Sequence, residues 1–523
     1  MKPFLYTLAL LLTFSSCKER IAQEENAEEK IKYSTSYKPA SFEKDERIAK
    51  IKGLSEELHM LIEAHRQEEK IPGIAYGVVV DNELVLASAT GLMNLQENLP
   101  ASTNTAFRIA SMSKSFTAMA IVKLRDEGKL SLSDPASQYI REMADMEYLT
   151  SDSPEITINN LLTMTAGFPE DNPWGDRQLD ESDEMLLALM ESGPAFSNPP
   201  SFAYEYSNTG YALLGAIISK VSGQPYQEYI REHILLPLNM QSTYWEIDRV
   251  PDAELAIGYR WEDEQWKLEP MLHDGSYGAM GGLITTIEDF SKYVSLHLSA
   301  WPPRSGADTG PVKRSSLRQM HTPQFSRLFT NAEDYNGDPC AIINGYGFGL
   351  GIRQDCNGTV RVSHGGALPG FGSNYVFFPE YGIGLMAFGN LTYTSPWPYD
   401  KIAKLLFEKG ELKPRGLPVS DILKERQAQV TELIQEWDTD LGDKILAENF
   451  YLDKSRDHRM EAWVAIWEQA GAIDSISDLT PYNQLRGDYK IYTKNGMVRV
   501  AFTLSPERDP KVQQLEKMFV AGD

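Results

Sequence analysis

Three short motifs in this chain carry residue types that can perform acyl transfer. The first is the stretch 111–114, Ser-Met-Ser-Lys, placed where a predicted extended segment ends and a helix begins. Residues three apart share a helix face, so the Lys114 amine can lie beside the Ser111 hydroxyl. A serine hydroxyl becomes a good nucleophile only when a neighbour takes its proton. Alone the pattern is weak evidence, because it recurs at Ser15–Lys18 and Ser41–Lys44, and Ser111 by itself would be interpreted as a helix cap.

The other two motifs lie downstream. The stretch 206–208, Tyr-Ser-Asn, precedes a predicted helix, with Asn208 a candidate cap. The stretch 364–366, His-Gly-Gly, ends a predicted strand, and glycines there permit close approach of a ligand backbone. Each has a purely structural alternative, a capped helix and a β-turn or bulge. In this order, spaced by 95 and 158 residues, the three motifs together are far more specific than any one.

The elements around these motifs predict a mixed α/β domain. Apolar residues at 112, 116, 119, 120 and 124 predict a helix that Gly128 ends. Segments 74–80 and 84–90 predict a β-hairpin, and segments 346–352, 359–363, 374–378 and 383–388 predict strands. Helices occupy the middle of the chain, including one within 156–176 followed by a Gly/Pro-rich loop that either walls a site or only connects elements. We therefore expect a sheet completed by both ends of the domain, with a helical insert.

Composition divides the 523-residue chain into four parts. Residues 1–17 have a short basic start, an apolar run and small residues before Cys17, which is typical of a secretory signal. Ending on Ser-Ser-Cys, this segment resembles a bacterial lipoprotein signal with Cys17 as the lipidated residue, and a plain cleaved signal is the alternative. Residues 18–44 are polar and predict a tether, 45–412 form the main domain, and 413–523 predict a small α+β domain.

Charge and motif content exclude several function classes. The net charge of −24 disfavours nucleic acid and anionic membrane surfaces as partners. The patterns His-Glu-x-x-His, Cys-x-x-Cys, Gly-x-Gly-x-x-Gly and Gly-x-Ser-x-Gly do not occur, so we expect neither a metal nor a cofactor. Cys340 and Cys356 can either pair in an oxidising envelope or remain two buried thiols. The sequence leaves the oligomeric state open.

With the segments FRIASMSK, GKLSLSDP, LLTMTAGF, EYSNTGY and GAMGGL, the chain resembles the β-lactamase-related serine hydrolases over roughly residues 45–410. That family includes class C β-lactamases, D-Ala-D-Ala carboxypeptidases, D-amino-acid peptidases and penicillin-binding-protein-like esterases. The resemblance implies an antiparallel sheet packed by terminal helices, a helical subdomain and no metal. Together with the lipoprotein-like signal, it predicts a cell-envelope enzyme, periplasmic or on the outer membrane, that is held by a lipid anchor at Cys17 and acts on a small substrate.

The resemblance assigns a role to each motif residue. It implies that Ser111 is the acylated nucleophile and that Lys114 and Tyr206 transfer its proton. The Tyr206 phenol would need its pKa lowered by nearby cations, because a free phenol titrates near pH ~10. Asn208 would hydrogen-bond the substrate or Lys114.

The third motif would bind the substrate. The resemblance implies that the backbone N–H groups of Ser111 and Ala367 form an oxyanion hole. The strand edge at His364, Gly365 and Gly366 would hold the substrate backbone as an added strand.

This motif also departs from class C β-lactamases, which carry Lys-Thr-Gly where this chain has His-Gly-Gly. A histidine is mostly neutral at pH 7 unless a partner raises its pKa, so a permanent cation facing the substrate carboxylate is missing. We therefore expect a serine hydrolase that acts through an acyl-enzyme on a D-amino-acid peptide, an amide or a small ester. The alternatives are a penicillin-binding, peptidoglycan-sensing protein without turnover and a β-lactamase.

Overall fold

The computed structural model describes residues 37–522, which separate into two compact units. The larger unit spans Lys44–Pro414, and the smaller one begins at Arg415 and also includes residues 37–43, which composition assigned to the tether. Each unit has its own hydrophobic core. The signal segment 1–17 with Cys17, and most of the tether, lie outside the described residues.

A nine-stranded antiparallel sheet organises the larger unit. The strands of this unit are β1 Gly73–Val80, β2 Glu83–Asn94, β3 Leu99–Pro100, β4 Phe107–Arg108, β5 Tyr259–Glu262, β6 Gln265–Leu268, β7 Ile284–Thr285, β8 Phe325–Phe329, β9 Ile342–Tyr346, β10 Gly351–Gln354, β11 Val360–Leu368, β12 Phe371–Phe378 and β13 Ile383–Gly389. The order of strands in the nine-stranded sheet is β3-β2-β1-β13-β12-β11-β10-β9-β8. β1 pairs with both β2 and β13, so strands from the two ends of the unit meet at the centre of the sheet, as predicted.

Helices cover both faces of this sheet. They are α1 Arg47–Gly53, α2 Ser55–Glu68, α3 Ser113–Asp126, α4 Ile158–Leu162, α5 Asp183–Glu191, α6 Asn208–Ser222, α7 Tyr226–Ile230, α8 Gly278–Gly281, α9 Ile287–Ser299, α10 Arg314–Met320 and α11 Tyr399–Lys404. Single π-helical turns, Arg231–Leu235 and Leu405–Lys409, extend α7 and α11.

Every residue of β1 is buried because the sheet has a core on each side. Ala75 and Val79 belong to the core shared with α3, α6 and α9, whereas Ile74 and Val78 belong to the core under the terminal helices α1, α2 and α11. Alternate strand residues point to opposite faces, so a continuous apolar run is what a central strand covered on both sides needs. The predicted fold class, an antiparallel sheet packed by terminal helices with a helical subdomain, is confirmed.

One strand prediction was wrong. The segment 346–352 was predicted as a single strand, but β9 ends at Tyr346 and β10 begins at Gly351. A tight turn separates them, in which the Gly347 N–H donates to the Leu350 carbonyl oxygen at 2.8 Å. The apolar and glycine residues between them mimic a strand in sequence because a buried turn needs the same residue types. Gly349 adopts a φ of +69°, and an added Cβ would lie 2.9 Å from the Lys114 carbonyl oxygen.

The smaller unit is a separate α+β structure. Its elements are α12 Asp421–Glu436, α13 Thr439–Ile445, α14 Arg456–Ala470, β14 Ile473–Ile476, β15 Thr480–Asn483, β16 Arg486–Thr493, β17 Gly496–Leu504 and β18 Val512–Ala521. The sheet runs β14-β16-β17-β18, with β15 also paired to β16. Leu433 of α12 and Trp463 of α14 pack with Val498 and Val500 of β17 in its core. The residues 489–504 form the strand, turn and strand that the Asn-Gly pair predicts.

Two further observations concern the chain as a whole. Cys340 and Cys356 form a disulfide, which resolves the choice that the sequence left open. Within residues 37–522, none of the helices is both long enough and apolar enough to cross a lipid bilayer.

Candidate active site

Ser111 lies in a 3-10 turn, Ala110–Met112, that leads directly into α3. Ala110 has a φ of +51°, a region that costs a non-glycine residue conformational energy. The turn is held against β11 and β12, because Ser373 Oγ donates to the Ile109 carbonyl oxygen at 2.7 Å. The nucleophile is therefore positioned by a constrained turn and is only 8% exposed.

The Lys114 side chain is completely buried one turn into the same helical segment. Its Nζ donates to Ser111 Oγ at 3.0 Å, to Asn208 Oδ1 at 2.7 Å and to the Met280 carbonyl oxygen at 3.0 Å. An ammonium has three N–H donors, so these acceptors satisfy the charged form completely. In the neutral amine a lone pair replaces one N–H and can accept the Ser111 proton. The geometry thus suits an exchange of one proton between the two residues.

Burial lowers the pKa of Lys114 because the charged form loses its hydration. The carboxylates of Asp176 and Asp171 oppose that shift and raise the pKa. Asp176 is itself buried, which raises its own pKa, while the Lys114 charge lowers it. The balance brings a lysine closer to neutrality at physiological pH, where an amine can act as a general base.

The Tyr206 phenol lies beside both residues. Lys114 Nζ is 4.9 Å from the centroid of the Tyr206 ring, and the phenol hydrogen-bonds to Ser111. The expectation that cations lower the pKa of Tyr206 was wrong. Burial raises this pKa well above its usual value and outweighs the opposing hydrogen bond from Ser111. Tyr206 is therefore a neutral phenol near pH 7, able to donate or relay a proton.

Asn208 is the first residue of α6 and not its cap, which corrects the sequence interpretation. Ser207 caps the helix by accepting from the Gly210 N–H at 3.1 Å. The Asn208 amide is consequently free to accept from Lys114, and its Nδ2 donates to Asn172 Oδ1 at 2.6 Å. The Asn208 orientation is thus fixed from two sides.

Sequence reasoning missed the acidic loop that holds Asn208 and Lys114 in place. Asp171 accepts from the backbone N–H groups of Asn208 at 2.6 Å and Thr209 at 2.8 Å. Gly175 lets the loop close onto α6, since an added Cβ would lie 2.8 Å from Asn208 Cβ. The Gly/Pro-rich composition of residues 166–176 favoured a site wall and a connector equally. Their acidic residues after a helix were the signal that could have identified the partners of Lys114.

His364 lies within β11 and is buried. The prediction that His-Gly-Gly ends the strand was wrong, because β11 continues to Leu368 in its pairing with β12. Its Nε2 is 3.3 Å from the Tyr346 hydroxyl, and its Nδ1 is 2.5 Å from the Gly365 carbonyl oxygen. Burial, followed by the positive charge of Lys114, lowers the pKa of His364 to about 4. The imidazole is therefore neutral at pH 7, and the third motif provides no cation.

The rest of this motif forms a strand segment next to the nucleophile. β10 pairs with β11 only as far as Gly351 opposite Ser363, while β12 pairs with β11 along residues 362–368. Gly366 is where the nucleophile turn approaches most closely, because an added Cβ would lie 2.2 Å from the Ile109 carbonyl oxygen. Gly365 and Ala367 flank this contact on the same strand.

A cavity of about 630 Å³ opens next to these residues. Tyr206, His364 and Gly365 line one part of it, and arginines of the strands β8, β10 and β11 line another. Such a volume is typical of small-molecule sites. The structure therefore brings Ser111, Lys114, Tyr206 and Asn208 into one hydrogen-bonded cluster, with His364 at the boundary between that cluster and the cavity.

Comparison with known proteins identifies the family. The sequence model of the Beta-lactamase family matches residues 58–409, which is most of the chain and contains all three motifs. The chain belongs to the Beta-lactamase family. The resemblance drawn from the motifs is thereby confirmed, and with it a fold built for serine acyl-enzyme chemistry.

A relative from Staphylococcus aureus matches part of the chain. Protein flp of Staphylococcus aureus strain MW2 is 30% identical over 342 residues, which cover 64% of this chain and 63% of flp. The alignment thus spans less than two thirds of either protein.

Among solved structures, an octameric penicillin-binding protein homologue from Pyrococcus abyssi has a TM-score of 0.57 and is 23% identical, covering 89% of this chain and 95% of its own. A class C β-lactamase has a TM-score of 0.53 and is 20% identical, covering 67% of this chain and 94% of its own. At these identities the two structures establish a shared fold only.

Proposed function

We propose that this member of the Beta-lactamase family is a serine hydrolase that works through an acyl-enzyme on Ser111. One observation carries the proposal, namely the buried Lys114 Nζ lying 3.0 Å from Ser111 Oγ with its two other partners fixed. A buried amine with a lowered pKa, in hydrogen-bond contact with a hydroxyl, is what activation of a serine needs.

We infer the reaction from these contacts together with the roles that the family resemblance implies. Lys114, in its neutral form, takes the Ser111 proton while Ser111 Oγ bonds to the substrate carbonyl carbon. The resulting oxyanion faces the backbone N–H groups of Ser111 and Ala367. The bond to the leaving group then breaks, and the leaving group receives a proton through Tyr206 from Lys114. Water then attacks the acyl-enzyme and gives its proton to the neutral Lys114 amine, directly or through the Tyr206 hydroxyl, which releases the acid and restores Ser111.

The substrate class that we favour is a D-amino-acid peptide, an amide or a small ester. The segment 364–367 of β11 supports an extended substrate backbone, since β10 does not pair with it. His-Gly-Gly lacks the cation and the hydroxyl of Lys-Thr-Gly, which argues against an efficient β-lactamase. The three catalytic roles that the resemblance assigns all have a suitable side chain, in Ser111, Lys114 and Tyr206. This argues against a penicillin-binding protein without turnover.

A fluorophosphonate probe tests the assignment of the nucleophile. We expect the purified protein to be labelled once, with the modified peptide containing Ser111, and to hydrolyse at least one of a set of nitrophenyl esters and D-alanyl peptides. Ser111→Ala should abolish labelling and hydrolysis, whereas Ser131→Ala, an exposed serine in a loop of the same unit, should change neither. Labelling at another serine would contradict the proposal. Ser111 labelling by a fluorescent penicillin without turnover of any substrate would favour the non-turnover alternative, and rapid nitrocefin hydrolysis the β-lactamase.

A further inference from the structure

Arginine side chains form a row across one edge of the large sheet. Arg327 of β8 lies directly opposite Asn344 of β9, and Asn344 lies opposite Arg353 of β10. Arg353 in turn lies opposite Arg361 of β11. Directly opposed residues of antiparallel strands point to the same face of a sheet. The three arginines, with one asparagine among them, therefore lie on one face of the sheet, and all four residues line the cavity beside His364.

This arrangement costs stability in the protein itself. Like charges directly opposite one another in a sheet repel, and burial and then the charge of Arg361 lower the pKa of Arg353. Among the residues 37–522, no carboxylate forms an ion pair with Arg327, Arg353 or Arg361. Asp355 and Asp400 act on Arg353 only at longer range. In a chain with 74 acidic and 50 basic residues, three clustered arginines without a carboxylate partner indicate a cluster reserved for another anion.

Within residues 37–522, these three arginines form one side-chain hydrogen bond to the protein. Arg361 stacks on the Tyr399 ring, with Cζ 4.6 Å from the ring centroid, and its Nε is buried without a partner. Arg327 stacks on Phe329 at 5.3 Å in the same way. Arg353 Nη2 donates to the Glu333 carbonyl oxygen at 3.1 Å. A stacked guanidinium keeps its in-plane N–H donors, which match the two oxygens of a carboxylate or phosphate.

We propose that this arginine row, Arg327, Arg353 and Arg361, binds an anionic group of the substrate, a carboxylate or a phosphate, on the part that extends away from the scissile bond. The proposal rests on the proposed function, because the same cavity is lined by Tyr206 and His364 of the candidate active site. It also explains how a site whose histidine is neutral can select an anion. The cations lie on β8, β10 and β11, outside the three residues of the third motif.

Matched esters test this specificity. The same aryl ester is prepared with a chain that ends in a carboxylate, a phosphate or a neutral amide, once on the acyl side and once on the leaving-group side. We expect kcat/KM for at least one anionic ester to exceed that of its neutral partner by roughly 10- to 100-fold, as charge-assisted hydrogen bonds provide. The anion with the larger ratio of kcat/KM to the neutral ester is the one that the row prefers. The series that shows this ratio, acyl side or leaving-group side, shows on which side of the scissile bond the anion binds.

Variants of the arginine row test whether these residues cause the preference for anionic esters. Arg327→Gln, at an exposed position where the fold should tolerate the change, and Arg353→Gln should each bring the ratio of anionic to neutral kcat/KM toward one. Arg353→Lys should retain part of the preference for anionic esters, because the positive charge remains. It should lose the rest, because the ammonium lacks the paired donors of a planar guanidinium. Arg141→Gln, an exposed arginine elsewhere in the same unit, should leave the ratio as it is. Equal kcat/KM for anionic and neutral esters in the unaltered protein would overturn the proposal.

A calorimetric measurement separates this outcome from failure of the proposed function. The Ser111→Ala protein cannot form an acyl-enzyme, so it is titrated with those products of the same esters that carry the chain, ending in a carboxylate, a phosphate or an amide. Tighter binding of a product whose chain ends in an anion than of the matched amide, lost in Arg353→Gln, would support the row even if no ester were hydrolysed. Equal or absent binding of all three would overturn it even if Ser111 proved to be the nucleophile.

Discussion

At the scale of single residues, burial decides which groups can move protons. Lys114 and Tyr206 lie in contact with the same Ser111, yet burial shifts their pKa values in opposite directions, because it disfavours a cation in one and an anion in the other. The amine is brought toward neutrality and the phenol is kept protonated. This division makes Lys114 the better base and Tyr206 the better acid.

The first prediction concerns Lys114 and its acidic neighbour. Lys114→Met should lower the acylation rate by roughly 10²- to 10⁴-fold, the usual contribution of a positioned base. As a base, Lys114 must be neutral, so kcat/KM should rise with pH through the pKa of Lys114. The Asp176 charge raises that pKa, so Asp176→Asn should move the acidic limb of the pH profile to lower pH.

The control is Asp152→Asn, an exposed carboxylate in a loop of the same unit, which should leave the acidic limb of the pH profile in place. Stopped-flow acylation by a nitrophenyl ester across pH 5 to 9 measures both effects. If the acidic limb of the pH profile stays fixed or moves to higher pH in Asp176→Asn, the Asp176 charge does not raise the pKa of Lys114.

The second prediction concerns His364. Its pKa is lowered to about 4, so the imidazole gains a proton only below that pH and is neutral above it. The ratio of kcat/KM for an anionic ester to that for a neutral one should therefore stay constant between pH 5.5 and 8. His364→Gln, which is also neutral, should leave the profile equally flat, whereas His364→Lys adds a cation and should raise the ratio. A ratio that falls as pH passes through 6.5 would show that His364 is charged after all.

At the scale of elements, the site depends on how closely the nucleophile turn approaches β11. The turn before α3 and the strand meet at Gly366, where no side chain fits. The hydrogen bond from Ser373 to Ile109 fixes the same contact from β12. Helix and strand thus bring Ser111 and the backbone of Ala367 together, although they are far apart in sequence.

Gly366→Ala tests this contact. An added Cβ would lie 2.2 Å from a backbone oxygen, so strand and turn must separate. We expect the free energy of unfolding to fall by about 1–3 kcal/mol, as overpacking usually causes, with a larger proportional loss of acylation rate. Gly351→Ala on the neighbouring strand is the control, since its nearest atom would be an ordinary contact at 3.5 Å. Equal stability of the two variants by urea denaturation would contradict the close approach.

At the scale of the whole molecule, the chain consists of two units whose cores share no residues. The strands β1 and β13, from opposite ends of the unit Lys44–Pro414, pair with each other and close its sheet. All residues of the candidate site and of the arginine row belong to that unit.

A protein of residues 44–414 should therefore fold alone and label with a fluorophosphonate at a rate close to that of the full chain. Circular dichroism and the labelling rate measure this. A matched protein that ends at residue 382, before β13, should be insoluble, because the central strand β1 loses one neighbour. Insolubility of residues 44–414 as well would mean that the smaller unit is needed for the larger one to fold.

We also propose that Cys17 is lipidated and holds the protein at the cell envelope. The basic start, apolar run and small residues before Cys17 support this, and the disulfide between Cys340 and Cys356 agrees with an oxidising compartment. Cys17→Ala should move the protein from the membrane fraction to the soluble fraction or stop its maturation, whereas Ser15→Ala should not. A mature N-terminus without acyl chains in mass spectrometry would contradict the proposal.

The sequence by itself determined the family, the fold class and the residues around Ser111. These follow from short-range patterns, since the spacing of Ser111 and Lys114 and the helical period after Met112 are properties of neighbouring residues. The turn between β9 and β10 escaped prediction because a buried turn and a buried strand use the same apolar and glycine residues.

Only the tertiary structure decided the electrostatics of the site. The pKa values of Lys114, Tyr206 and His364 depend on burial by segments far away in the chain, and no local pattern records which segments those are. The partnership of Asp176 with Lys114 arises because a loop folds back over α6. The arginine row likewise exists only in the register of four strands, because pairing places Arg327, Arg353 and Arg361 on one face although long stretches of sequence separate them.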